Sequence, residues 1–440
     1  MPSSRLTFDA WEGTYAPRMD HLRHSAVRDL FAAVSRPNVI GLSGGSPDIS
    51  SLPLDEVAEC ARSMILEEGP KALQYGGSDG RIQMREIVCE MLAEDGIDVS
   101  PDEMILLAGS QMGLDFLGRA FLQPGDTIIC EGPTYLGALQ AFSAYEPNIV
   151  CVEMDQDGMR MDLLEETLER LGPRGAKFIY TIPNFQNPTG VTLSLERRHR
   201  LIELSHEYEI PLVEDDPYGR LRYEGEHVPP MKSMDPSVIY LGTTSKIFAP
   251  GLRLAWMVAP KPMLAHVNLC LQGAGLCVSS LSQVMAEYYF TRTDWKATLE
   301  KIKDVYHERR DAMLDALAES FGPEVEWSWP KGGFFVWLTL PPYFDTDQMM
   351  SVALERGVAY VPGRNCFPDG RGKSSMRLAF CYEKPEKIRE AIARLSDVVS
   401  DRMDLYRAFL AAGALPEPEP SAQIGAHHDA PKTLFVRNGR

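Results

Sequence analysis

Four short segments carry residue types that could hold an anion, meet a cationic ring and attack a carbonyl. The most pointed is TTSKIFAPGLRLAW (243–256): small hydroxyl residues end a strand-like run, then come Lys246, a Pro-Gly turn and Arg253. A surface lysine is only a solvated charge. At the C-terminal end of a strand in an open α/β sheet it would face the ligand crevice. Desolvation there lowers its pKa and makes the amine a nucleophile toward a carbonyl. The hydroxyls of Thr243 and Ser245, with Arg253, suit a phosphate. In IPLVEDDPYG (210–219) two carboxylates end an apolar run, which is costly unless a cation or donor meets them. Asp215 could face a protonated ring nitrogen, with the Tyr218 phenol close behind; a solvated strand end is the plainer reading. IPNFQNPTG (182–190) enters a turn headed by Asn187, although Asn-Pro turns are common. AGSQMGLDFL (108–117) opens an apolar helix with Ser110 and Gln111, where free N–H groups and the helix dipole favour an anion. Neither a G-x-x-x-x-G-K-[ST] loop nor a G-x-G-x-x-G turn after a strand is present.

Segments so far apart need a frame that gathers them. From about residue 41 short apolar runs alternate with helical stretches such as LSLERRHRLIELSHEYE. The runs are MILLAGS (104–110), TIICEGP (127–133), NIVCVEMD (148–155), KFIYTIPN (177–184), IPLVEDDPYG, SVIYLGTTSK (237–246) and LAWMVAP (254–260). That pattern predicts an α/β fold with a mostly parallel sheet covered on both faces. A long charged helical segment (291–322) leads to two alternating strands, in WSWPKGGFFVWLTLP and SSMRLAFCY, around the helical DTDQMMSVALERG. The expected division is an N-terminal arm (1–44) joining the small domain, a large domain (45–295), a small α+β domain (296–410) and a mobile Pro-rich tail (411–440). SAVRDLFAAVS, in the arm, reads as a short helix.

The 440 residues carry 44 basic against 62 acidic side chains, a net −18. Nucleic acid and anionic membranes are thereby disfavoured as partners. No apolar run approaches the roughly 20 residues of a membrane helix, and the N-terminus lacks a signal-peptide pattern. The eight cysteines are dispersed with no C-x-x-C, as expected of free thiols in a reducing cytoplasm. His427 and His428 lack a third ligand, so no metal site is expected.

Together the four segments are the parts needed to hold pyridoxal 5′-phosphate. Through NFQNPTG, EDDPYGRLRYEG, TTSKIFAPGLRLAW and SSMRLAF, from about residue 25 to about 400, the chain resembles the fold-type I pyridoxal-phosphate enzymes. Within them it is most similar to the class I/II aminotransferases of the 2-aminoadipate and kynurenine branch. The resemblance implies that Lys246 forms the internal aldimine and then moves the proton at Cα. It gives Asp215 the pyridinium nitrogen, Tyr218 and Asn187 the phenolic oxygen, and Tyr135, in GPTYLG, the ring face. The phosphate falls to Ser110, Gln111, Thr243, Ser245 and Arg253. Tyr75, in LQYGGSDG, matches a tyrosine that reaches the neighbouring subunit's phosphate, so a homodimer with shared sites is implied. Arg377 would bind the substrate α-carboxylate. Gly45 and Arg28 match positions that meet the substrate side chain, although Arg28 also reads as a surface arginine on an amphipathic helix.

The implied reaction moves an amino group between an L-amino acid and a 2-oxo acid. Other carbanion chemistry, such as γ-elimination or ring closure on S-adenosylmethionine, starts from the same Cα deprotonation and is the alternative. A transcription regulator with a winged helix ahead of such a domain needs more than the 43 residues that precede Gly44.

Overall fold

The computed structural model describes Trp11, residues 13–20, Leu22 and residues 38–412. The helix expected in SAVRDLFAAVS, Arg28 upon it, and the tail beyond Ala412 lie outside the described residues.

A short strand, β1 (Ile40–Gly41), opens the described core. Eight strands then build one sheet: β2 (Met104–Leu107), β3 (Thr127–Gly132), β4 (Asn148–Asp155), β5 (Gly158–Met159), β6 (Ile179–Thr181), β7 (Leu212–Asp215), β8 (Ile239–Thr243) and β9 (Ala255–Val258). Their order is β2-β9-β8-β7-β6-β3-β4-β5. Neighbours from β8 through β4 are parallel. Strand β9 runs against both β8 and β2, and β5 against β4. Six strands therefore share one direction, as the apolar runs predict. Every residue of β2, β7, β8 and β9 is buried, the signature of strands covered on both faces.

This topology gathers the chemistry. The C-terminal ends of β2, β3, β6, β7 and β8 emerge on one edge, leading to Ser110, Tyr135, Asn187, Asp215 and Lys246 respectively. Because β9 is reversed, its beginning lies on that same edge and delivers Arg253 there.

A second, antiparallel sheet is formed by β10 (Glu326–Trp327), β11 (Phe335–Thr339), β13 (Val361–Pro362) and β14 (Ser375–Ala379), in the order β10-β11-β14-β13. Strand β12 (Val358–Ala359) pairs with β1, so residues 40–41 join this part. Strands β11 and β14 alternate in the pleat. Val336, Leu338, Met376 and Leu378 pack with Leu314, Leu317 and Leu395 of the helices Trp295–Ser320 and Pro385–Ala411. The opposite face carries Phe335 and Arg377 toward the large sheet.

The charged segment 291–322 is not one helix. It breaks between Ser280–Arg292 and Trp295–Ser320, where the Asp294 carboxylate accepts the Ala297 N–H at 3.1 Å and caps the second helix. Among the described residues no single helix is long and apolar enough to cross a membrane.

Candidate active site

A cavity of about 340 Å³ opens at the gathering edge. Gly45, Ser110, Gln111, Tyr135, Asn187 and Asp215 line it, as do Tyr218, Thr243, Ser245, Lys246, Arg253 and Arg377. Two residues of the sequence reading are not among them. Arg28 lies outside the described residues. Tyr75 sits in the loop after the helix Leu54–Ala72, is 79% exposed and stands apart from the cavity of its own chain.

Lys246 follows β8 and donates from Nζ to the Gly45 carbonyl at 2.9 Å. Burial lowers its pKa from 10.5 to about 8, and the Arg253 and Arg377 charges push the same way. Near neutral pH a useful fraction of the amine is therefore neutral and nucleophilic.

Asp215 ends β7, 3% exposed. Burial raises its carboxyl to about 7, opposed by a hydrogen bond from Tyr180. The Tyr180 hydroxyl donates to Oδ2 at 2.7 Å, whereas the buried Oδ1 has no partner. A bare buried acceptor is costly, so this oxygen calls for a donor from within the cavity.

The anion cradle lies at the other end. Ser110 opens the helix Ser110–Phe121, and its buried Oγ is also without a partner. Gly109 before it has φ +88°, and a Cβ there would lie 2.0 Å from Arg253 Nη2. Only glycine lets the guanidinium lie across the helix start. Thr243 Oγ1 donates to Ser245 Oγ at 2.9 Å, completing a group of donors around one small volume. Between the cradle and Asp215 stands Tyr135, whose ring lies against Gly137, where a Cβ would approach it to 2.4 Å. The Gln111 amide donates to the Gly137 carbonyl at 2.6 Å and fixes that loop.

Arg377 is 3% exposed and has no ion-pair partner among the described residues. Its Nη1 donates to Asn187 Oδ1 at 2.9 Å and its Nη2 to the Ser43 carbonyl at 2.6 Å, while Nε is unsatisfied. The guanidinium lies 4.3 Å from the Phe335 ring centroid. A buried cation supported only by neutral groups is ready for a carboxylate.

Several contributors carry no signal in the sequence. The strap 43–46 offers four consecutive carbonyls to side chains packed against it. Arg377 takes the first and Lys246 the third, while the Cys381 thiol donates toward Gly44 and Ser46 at 3.5 and 3.3 Å. Glu131, buried and raised to about 7 by that burial, accepts from Thr181, from the Ile182 N–H and from Gln186. It thereby anchors the turn that presents Asn187. Tyr180 could have been singled out only by knowing that β6 lies beside β7.

Pyridoxal 5′-phosphate fits these residues. The orphaned Asp215 oxygen suits a ring N–H, the unpartnered Ser110 hydroxyl and Arg253 suit a phosphate, and the desolvated Lys246 amine suits an aldehyde. A family model of aminotransferases of class I and II matches residues 37–395. The chain belongs to that family. A relative from Thermococcus litoralis, aromatic-amino-acid aminotransferase 1, is 42% identical over 398 residues, covering 89% of this chain and 95% of its own. A multiple substrate aminotransferase from Thermococcus profundus has a solved structure with TM-score 0.86 and 41% identity, over 90% of this chain and 100% of that one. The kynurenine aminotransferase of Pyrococcus horikoshii, solved in complex with PMP, gives TM-score 0.84 and 39% identity over 88% and 97% of the two chains. This aminotransferase therefore uses pyridoxal 5′-phosphate to move an amino group between an L-amino acid and a 2-oxo acid. All three compared proteins are named as aminotransferases, and none supports the elimination or ring-forming alternative.

Proposed function

We propose that this aminotransferase takes donors with aromatic or long apolar side chains, and that it works as a homodimer. When bound, the cofactor supplies an aldehyde for the amino group and a ring that accepts the electron pair left at Cα. The chain's own groups do the rest. Ser110, Gln111, Thr243, Ser245 and Arg253 hold the phosphate, and Tyr135 covers the ring. Asp215 keeps a proton on the ring nitrogen, and Tyr218 and Asn187 donate to the phenolic oxygen. Arg377 fixes the α-carboxylate through its planar fork, which orients the Cα–H bond toward Lys246. The Lys246 amine takes that proton and returns it on the way to product.

The observation that carries the substrate class is the charge of the walls. Among the described residues lining the cavity, the cations are Lys246, Arg253 and Arg377, and each already has a task. None is left for a second substrate carboxylate, which would be buried unpaired at a cost of several kcal/mol. The rest of the wall includes Leu136, Ile182 and Phe335, with Gly45 held small because a Cβ there would meet Phe335 at 2.7 Å. The names of the Thermococcus litoralis and Pyrococcus horikoshii proteins support the same class.

For a fixed 2-oxo acid, phenylalanine or tyrosine should exceed 2-aminoadipate in kcat/KM by about tenfold or more. Steady-state rates across a donor panel measure this. A preference for 2-aminoadipate would overturn it and point to a cation from outside the described residues, with Arg28 the candidate.

The homodimer is supported by exposed Leu66, Leu73 and Tyr75, 68–79% accessible along one segment. Such side chains favour cover, and Tyr75 would enter the partner subunit's site. A cytoplasmic location is proposed from the dispersed cysteines.

A further inference from the structure

We propose that Tyr180 is a positioning residue for the cofactor's ring nitrogen: its hydroxyl occupies one oxygen of Asp215 and leaves the other unpartnered at the cavity wall. This rests on the reading of Asp215 as the partner of that nitrogen.

The geometry comes from strand pairing. Strands β6 and β7 are adjacent and parallel, and Tyr180 is in register with Val213. Asp215 lies two residues further along the same face, so the phenol runs beside the strand and meets the carboxylate at its end. The donation to Oδ2 is 2.7 Å long. Both residues are buried, Tyr180 at 0% and Asp215 at 3% exposure. The Phe142 ring packs edge-on against Tyr180, 5.7 Å between centroids, so the donor has little freedom to turn away.

The neighbouring carboxylate is kept out of this arrangement. Asp216 accepts from Asn184, from the Gly219 N–H and from Tyr240, at 2.9–3.3 Å. Asp215 thus has Tyr180 alone on one oxygen and nothing on the other. Rotating the carboxylate would break the hydrogen bond to its held oxygen, so the free oxygen stays where it is. Burial and the nearby carboxylate also raise the Tyr180 phenol well above its ordinary pKa, so it remains a donor across the working range.

Removing the hydroxyl leaves Asp215 free to rotate and makes it a stronger base. The proton shared with the ring nitrogen then moves toward the carboxylate. The test compares wild type, Tyr180→Phe, Asp215→Asn and the double variant, each loaded with ring-nitrogen-15-labelled pyridoxal phosphate. The readouts are the nitrogen-15 chemical shift and the dissociation constant of pyridoxamine phosphate in equilibrium dialysis. Tyr180→Phe should move the shift toward the unprotonated position and weaken pyridoxamine phosphate about tenfold. In the Asp215→Asn background the same change should alter affinity less than twofold. A fluorinated tyrosine at 180, a stronger donor of the same shape, should move the shift the opposite way and keeps the test open if Tyr180→Phe folds poorly. Shift and affinity unchanged in Tyr180→Phe but altered in Asp215→Asn would overturn the role of Tyr180 alone. An unchanged shift in Asp215→Asn would overturn the reading of Asp215 itself.

Discussion

Replacing Lys246 by alanine should lower turnover by about 10⁴-fold or more and abolish the visible absorbance of lysine-bound cofactor. Two functions disappear with one side chain. In the proposed roles the amine is both the covalent anchor and the base that takes the Cα proton; positioned general acid–base catalysis alone supplies about 10²–10⁴-fold. The same variant gains something in the cofactor-free protein. Folding lowers the Lys246 pKa from 10.5 to about 8, so between those values the unfolded chain binds more protons than the folded one. Stability contributed by this group therefore rises with pH across that window. Thermal unfolding of cofactor-free wild type should show this rise relative to Lys246→Ala, and at pH 7 the variant should be no less stable. A variant that retains turnover and the visible band would contradict the assignment of the lysine.

The second large effect concerns Arg377. Its conversion to alanine should reduce kcat/KM for phenylalanine by about 10²–10³-fold, the scale of breaking a buried charge pair. Arg377→Lys should recover only part of this, because an ammonium keeps the charge without the planar fork. A carboxylate-free amine separates the causes. Phenethylamine, lacking the α-carboxylate, should react at similarly low rates in wild type and Arg377→Ala. If Arg377→Ala impaired both compounds equally, the arginine would be holding the fold, through the Ser43 carbonyl and Asn187, with no part in carboxylate recognition.

The positions of these residues were legible where local pattern decides structure. The run NIVCVEMD is strand Asn148–Asp155 in full, because an apolar run bounded by turn residues has few alternatives. The lysine, aspartate and asparagine follow such runs, and a parallel sheet brings successive strand ends to one edge, so their convergence was legible too. Arg377 could be read as the polar member of an alternating strand. The helix break at Asp294 was harder: charged residues with helical spacing continue across it, and one capping carboxylate decides. Tyr180 was not legible, since its meaning depends on which strand lies next to β6. The strap 43–46 acts through backbone carbonyls, which no residue type announces.

The most direct measurement is a half-reaction. Purified protein loaded with pyridoxal phosphate is mixed with phenylalanine alone, and its absorbance is followed without any 2-oxo acid. The expected result is stoichiometric conversion of the visible band to that of pyridoxamine phosphate, with one phenylpyruvate per site, reversed by adding a 2-oxo acid. Release of another product while the cofactor remains pyridoxal phosphate would show that transamination is not the reaction.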